Sequence, residues 1–383
     1  MNFLIEAASS EEKLTHLEHA EDHPINAGEA GYKHARATLD SVHKALTGEG
    51  SNASITTKYD GSPSIVFGHH PETGRFFVAS KSAFNKNPKI NYTEKDIEEN
   101  HGHAAGLVEK LKTALKHLPK VTPKSGVFQG DVMHTEGDVK QEDGKAHFTP
   151  NTITYTATGD EAEKAAKSKI GVAVHTAYHG NSFGEMKAKF NSGNEGFSVH
   201  PDVHMIDVSH PLSKTNYSKE HQAAYQHHMD QAEQHHKELK GEGYKAIAPH
   251  ADTIKTYINK TVRTGETPSV EGYKSHLSSL GEKAAEKLKT DASKNKVLGK
   301  TTEQLKHVDD NKHHFASALL LHHNLQAAKN SLAHTLSTHT TFGHSINGKP
   351  TKPEGFVAVI NNRPTKIVDR AEFSKANFER TRG

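Results

Sequence analysis

The spacing of apolar residues changes several times along the chain. From residue 30 to 46 (AGYKHARATLDSVHKAL) they recur at helical intervals, and Thr47-Gly48-Glu49-Gly50 supplies a stop, so residues 1–50 read mostly as helix. From Ser54 the interval falls to two. Ile55, Thr57 and Tyr59 share one side of a strand, Gly61-Ser62-Pro63 turns the chain, and residues 64–68 and 75–80 continue as strands around Pro71-Glu72-Thr73-Gly74. Residues 92–118 predict a helix, and residues 126–133, 152–158 and 170–178 predict three more strands.

The pattern changes again near Pro211. Residues 212–340 are rich in Lys, His, Ala, Glu and Gln and predict several helices, clearest at 218–239 and 309–336. Breaks fall at Gly241-Glu242-Gly243, at Pro249 and at residues 265–268, while Leu319, Leu320, Leu321, Leu325 and Leu332 offer a packing stripe. After Gly343 strand character returns: residues 355–360, the turn Asn361-Asn362-Arg363-Pro364, then residues 365–368. These last strands are expected to complete the first β body. The expected order is an N-terminal helical segment (1–50), a β-rich part (51–211), a helical insertion (212–342) and closing strands (343–383). The fold class is α+β.

Composition narrows the function classes. The chain has 383 residues and a mean hydropathy of -0.76, so long stretches of solvated helix are expected. The 48 basic and 46 acidic residues nearly cancel, so overall charge does not announce a nucleic-acid binder, although a local basic surface stays open. With no cysteine, a disulfide framework and a thiolate zinc site are both excluded. No apolar run approaches the ~20 residues of a membrane span, and the start Met-Asn-Phe-Leu-Ile-Glu lacks the basic and apolar regions of a signal peptide. A cytoplasmic protein with no membrane partner is expected. The 32 histidines, several in pairs such as His227-His228 and His313-His314, read as biased surface composition, since no HExxH pattern accompanies them.

The candidate chemistry starts at Lys58-Tyr59-Asp60-Gly61. A lysine leaving a strand into a glycine turn can face a cleft, and glycine lets backbone approach a ligand closely. A lysine that loses its proton is a nucleophile for phosphorus. Later segments follow in strand contexts: Phe76-Phe77-Val78-Ala79-Ser80-Lys81, then Val127-Phe128-Gln129-Gly130-Asp131-Val132-Met133, then residues 169–178 with His175 and Tyr178, then Glu354-Gly355-Phe356-Val357, then Thr365-Lys366-Ile367-Val368. In this order they resemble the motifs of the ATP-dependent covalent nucleotidyltransferases, the superfamily of DNA ligases, RNA ligases and mRNA capping enzymes. The residues around Lys58 and residues 126–133 also resemble ligase-like proteins of tailed bacteriophages.

The resemblance implies an antiparallel β-rich adenylation domain of the ATP-grasp-like ligase type. It implies ATP and Mg²⁺ as cofactors and a nucleic-acid partner, RNA or nicked DNA. Lys58 would carry AMP, and Asp60 would orient the turn or Lys58, with Gly61 against the nucleotide. Glu354 would hold Mg²⁺, Lys81 and Lys366 would contact phosphates, Asp131 the ribose, and His175 or Tyr178 the adenine. The chain departs from the family pattern in having Asp131 for the usual glutamate and a single lysine, Lys366, in the last motif. Only 15 residues follow Val368, so no C-terminal OB domain is expected. The insertion, with its lysines and histidines, is the expected nucleic-acid clamp. The leading expectation is a polynucleotide ligase, with RNA favoured over DNA. AMP transfer to a protein or small molecule, and an inactive phage binding protein of the same fold, remain open.

Overall fold

A computed structural model of the protein describes residues 17–370, so the outer parts of the expected first and last segments, 1–16 and 371–383, lie outside the described residues. In chain order the elements begin with helix α1 (His23–Thr47) and strands β1 (Ser54–Lys58), β2 (Ser64–His69) and β3 (Phe76–Ala79). Helices α2 (Glu94–His101) and α3 (Ala105–His117) precede strands β4 (Val127–Thr135), β5 (Lys140–Glu142), β6 (Lys145–Phe148) and β7 (Thr154–Ala157). Helix α4 (Gly159–Lys167) then leads to strands β8 (Ile170–His179), β9 (Lys187–Phe190) and β10 (Val203–Ile206). Helices α5 (Lys219–Leu239), α6 (Glu242–Ile247), α7 (Ala251–Thr264), α8 (Val270–Glu286), α9 (Asp291–Asp310) and α10 (Lys312–Leu336) follow without an intervening strand. Four strands close the described chain: β11 (Gly343–Ile346), β12 (Lys349–Pro350), β13 (Gly355–Ile360) and β14 (Arg363–Ile367).

Two compact units result. The first holds Leu17, Ser54–Lys214 and His339–Pro364; the second holds Glu18–Ala53, Thr215–Thr338 and residues 365–370. The α1 segment, set apart in the sequence reading, therefore falls in the second unit. The fold is α+β with mostly antiparallel strands.

The first unit contains the sheets except the end of β14, which from Thr365 is counted with the second. One runs in the order β10-β8-β4-β2-β3, with β9 also paired to β8, and only β8 and β10 are parallel among its pairs. A second runs β12-β11-β7-β6-β5, and a third β1-β13-β14. Alternation assigns the faces of the largest sheet. Ile65, Phe67, Phe128, Val132, Val172 and Val174 point to one face and pack with Ile97, Val108, Leu111 and Ala114 of α2 and α3. Val66, Phe77, Val127 and Tyr178 point to the other. Ser64, Gln129 and Asp131 lie on that second face, two residues apart along their strands from its apolar members.

Several boundaries differ from the sequence reading for local reasons. Residues 92–118 make two helices, because the chain turns at Gly102 between α2 and α3; α2 itself starts with a capping box between Thr93 and Asp96. The β5–β6 hairpin was not anticipated: Lys140–Glu142 is wholly exposed, so no hydrophobic alternation marks it. Strand β14 begins at Arg363, because Asn361 and Asn362 (φ 49° and 58°) form a two-residue turn. Pro364 is tolerated there because β14 is an edge strand.

The second unit is built mainly from helices. Helix α5 packs along α10, and Ser218 caps α5 by accepting from the His221 N–H. Histidines replace aromatic residues in its interior. His236 stacks on Tyr32 with ring centroids 3.9 Å apart, and His43 on Tyr225 at 4.5 Å. Lys329 and Glu21, both fully buried, form an ion pair of 2.6 Å, with Arg370 3.6 Å from Glu21 and 2.9 Å from Asp22. None of the described helices is long and apolar enough to cross a membrane.

Candidate functional site

Lys58 is the last residue of β1, and the antiparallel register of β1 on β13 sets it opposite Gly355. Glu354, the residue before β13, is thereby delivered to it. Lys58 Nζ donates to Glu354 Oε1 in a direct ion pair. The lysine side chain is 27% exposed and that of the glutamate 11%. Glu354 Oε2 is buried with no hydrogen-bond partner among the described residues. Burial raises the Glu354 pKa, and nearby Asp60 and Asp131 add to this against the lowering effect of Lys58.

Behind Lys58, Asp60 is spent on local structure. Its carboxylate accepts from Asn151 Nδ2 at 2.8 Å, from the Thr152 N–H at 2.8 Å and from the Ile153 N–H at 3.3 Å. Its own N–H donates to the Tyr155 hydroxyl at 2.7 Å. Asp60 is thus a positioning residue that ties the lysine turn to the loop before β7. Gly61 is required by space: a Cβ there would lie 2.5 Å from Asp131 Cβ and 2.9 Å from Met133 Sδ. The Ser62 N–H continues the contact, donating to Val132 O at 2.9 Å.

Asp131 projects from β4 beside Lys58. Its pKa is lowered: burial alone would raise it, but His175, Lys58 and the Ser64 hydroxyl favour the charged form. His175 Nε2 lies 3.8 Å from Asp131 Oδ2. A bulge places that ring. Gln129 faces Thr176 and Gly130 faces Val174, so His175 is the extra residue of β8 and turns to the face that carries Asp131. Gly130 permits the close passage, since a Cβ there would lie 2.7 Å from Ala173 O.

The structure brings Lys58, Glu354, Asp131 and His175 into one site, with Asp60 and Gly61 beneath it. The other sequence candidates sit differently. Tyr178 is 2% exposed, its ring 4.7 Å from Phe84 and its hydroxyl donating to Gln129 Oε1 at 2.6 Å, so it packs and His175 is the open ring. Lys81 is exposed at the start of the turn after β3. Lys366 lies on β14 within the second unit, where its N–H donates to Glu18 O at 2.8 Å.

Two supporting residues escaped the sequence reading. Asn191 Nδ2 donates to Ser54 O at 2.9 Å, its Oδ1 accepts from Thr56 at 3.1 Å, and its N–H donates to His175 O at 2.8 Å. It therefore fastens the lysine strand to the histidine strand. Phe190-Asn191-Ser192-Gly193 shows only a turn composition, which signals no such role. Gln129 is the second, held between Tyr178 and, through Nε2, Ser64 Oγ at 3.1 Å.

A cleft of about 670 Å³ lies nearby between α3 and the end of β4, and Lys110 on its wall donates to Ser62 O at 3.0 Å. Its Lys112 and Lys169 are neutralised by Glu98 and Glu136, so it offers less free charge than its lysines suggest. Among the described residues no group of three or more His, Asp or Glu side chains could by itself hold a metal ion. Comparison with curated proteins and with solved structures returns no match. A family of unknown function, DUF6267, matches residues 14–382, and the chain belongs to that family.

Proposed function

We propose that the first unit is an ATP-dependent nucleotidyltransferase that joins polynucleotide ends, RNA in preference to DNA. The observation that carries this reading is the ion pair of Lys58 with Glu354 across the β1–β13 register. The Lys58 amine attacks the α-phosphorus of ATP, a P–N bond forms, and the bond to pyrophosphate breaks. Glu354, whose proton affinity is raised by burial, takes the proton that the amine gives up. A 5′-phosphate oxygen then attacks the lysyl-AMP phosphorus, breaking P–N and restoring the amine. Finally a 3′-hydroxyl attacks that activated phosphate and AMP leaves.

Magnesium fits this site in part. Glu354 Oε2 is a buried carboxylate oxygen without a partner among the described residues, and Asp131, near enough to raise the Glu354 pKa, is a second carboxylate. Mg²⁺ takes one or two protein carboxylates and completes its shell with phosphate and water oxygens, so no larger donor set is needed. When bound, it neutralises charge that develops on the phosphates. Asp131 is placed for the ribose hydroxyls, and His175 for the base. The residues 215–338 read as an insertion into this nucleotidyltransferase, since the first unit resumes at His339.

The test is covalent labelling. ATP labelled at the α-phosphate should mark the wild-type protein in Mg²⁺ and leave Lys58→Ala unmarked on a denaturing gel. A folded wild type that takes no label overturns the reading. Nicked duplex and single-stranded RNA, run side by side, separate end joining from AMP transfer to another acceptor.

A further inference from the structure

Helices α8 and α9 form a hairpin whose far end has no core. The two helices approach closely at Gly281, where a Cβ would lie 2.8 Å from Thr301 Cγ2. Beyond that crossing, Ala285 is the sole buried residue of 282–300. Leu280 and Leu298 are 39% and 40% exposed. The same segment carries Lys283, Lys287, Lys289, Lys294, Lys296 and Lys300 against Glu282, Glu286 and Asp291. Its excess of three positive charges exceeds the +2 of the whole chain, so everything else is net acidic.

Several lysines of the other helices are paired. Some pair with a carboxylate one turn away, as in Lys33–Glu29 at 2.8 Å, Lys167–Glu163 at 3.1 Å and Lys245–Glu242 at 2.8 Å, while Lys44, Lys116 and Lys219 have no ion pair among the described residues. On the arm, Lys294 has Asp291 at 3.8 Å, but among the described residues Lys287, Lys289, Lys296 and Lys300 have no ion pair. Lys296 and Lys300 lie four apart, a like-charge spacing that weakens a helix. Lys287 at the end of α8 suits the helix dipole; Lys296 and Lys300, in the N-terminal half of α9, gain nothing from theirs. A helix that is polar all round and packs on little needs another reason to exist.

We infer that this arm is a binding surface for the phosphodiester backbone of a single nucleic-acid strand. Several exposed, unpaired lysines on one hairpin suit repeated negative charge better than one small anion. An anionic bilayer is the competing occupant. It is disfavoured because an interfacial helix presents a continuous apolar face, whereas α9 has Thr301 and Val308 as its buried residues and one strongly exposed leucine. The choice of a nucleic acid rests on the polynucleotide reading of the first unit.

The experiment uses the full chain and a variant with Lys287→Gln, Lys289→Gln, Lys296→Gln and Lys300→Gln, glutamine being as good a helix former. Fluorescence anisotropy of labelled single-stranded DNA and RNA is followed between about 50 and 200 mM salt. The variant should bind at least about tenfold more weakly, and its log–log salt slope should shrink by up to ~3, since each phosphate contact contributes ~0.7. A control with Lys140, Lys145, Lys219 and Lys240 changed to Gln should bind as wild type. Equal losses in both variants, or no loss in the arm variant, overturn the proposal. So does a loss confined to phosphatidylserine vesicles.

A readout on the wild type guards against a misfolded variant. Bound oligonucleotide should protect the four arm lysines from acetic anhydride, read by mass spectrometry, and unprotected lysines overturn the proposal. The two readings fail separately. Lys58 labelling should survive in the arm variant, while a wild type that takes no label yet loses strand binding with the arm sinks the nucleotidyltransferase and leaves the arm.

Discussion

Lys58 and Glu354 are 296 residues apart in the chain and share an ion pair, because β1 and β13 are antiparallel neighbours in one sheet. The pair is only partly open to solvent, and its carboxylate has one oxygen engaged and one buried without a partner.

This relationship separates two substitutions. Glu354→Gln preserves shape and removes the proton acceptor, so self-labelling by ATP should fall at least about 100-fold, or ~2.7 kcal/mol of barrier. Its melting temperature should change little. Lys58→Ala should abolish labelling and also destabilise, by about 1–3 kcal/mol, because it strands a buried carboxylate. Calorimetry beside the labelling assay reads both; equal melting of the two variants argues against the stranded-carboxylate account.

Gly61→Ala tests the packing of the turn on β4. The added methyl meets Asp131 and Met133 side-chain atoms at 2.5 Å and 2.9 Å. Overpacking of this kind costs about 1–3 kcal/mol and moves the residue it strikes. Asp131 is that residue, so the KM for ATP should rise more than kcat falls if Asp131 binds the ribose. A variant with wild-type KM and stability would show that the turn yields freely.

Much of the frame was legible in the sequence. Residues 355–360 and β13 coincide, and the alternation of residues 54–59 gave β1, because an apolar run bounded by turn residues leaves few other options. Their pairing across nearly the whole chain is long-range, and only the motif order pointed to it. The position of His175 was not legible: alternation counted back from Tyr178 turns it to the opposite face, and the bulge lets it share the side of Asp131. Lysines were the least readable. Lys329 and Lys312 lie on the same helix, yet one is fully buried on Glu21 and the other is exposed on Glu271. Asp60 offered a carboxylate in a catalytic motif, but its hydrogen bonds to residues 151–153 depend on a loop ninety residues on.

A buried histidine chain predicts acid sensitivity in the first unit. His134 Nε2 lies 3.1 Å from His204 Nδ1, and His204 Nε2 lies 2.8 Å from Glu161. Gly171 makes room for the His134 ring, which is 0% exposed. Burial, with the charge of His204 adding to it, pulls the His134 pKa down to about 3. The unfolded chain therefore takes up its proton first as pH falls below the ordinary histidine range. The neutral ring's contribution is complete above that range and erodes until the folded group protonates near 3. Between pH 7 and 5 the loss from this residue alone is about 2 kcal/mol. His134→Phe should flatten denaturant-measured stability over that interval, whereas an unchanged pH slope would assign the sensitivity to other histidines.

The ion pair of Lys329 and Glu21 gives a matched test in the second unit. Both side chains are fully buried, and burial lowers the Lys329 pKa despite Glu21. Desolvating two charges consumes most of what their attraction returns, so such a pair can be nearly neutral overall while each half alone is costly. Lys329→Met leaves Glu21 with Arg370 at 3.6 Å as its remaining cation and should destabilise by about 3–5 kcal/mol. Glu21→Gln should behave similarly, because it leaves the lysine charge fully buried without its partner carboxylate. The double variant should recover most of the loss, which a double-mutant cycle in denaturant would read as a coupling of at least about 2 kcal/mol. Additive losses would mean that Asp22 and Arg370 already hold this cluster together, and that the lysine and glutamate act through them rather than through each other.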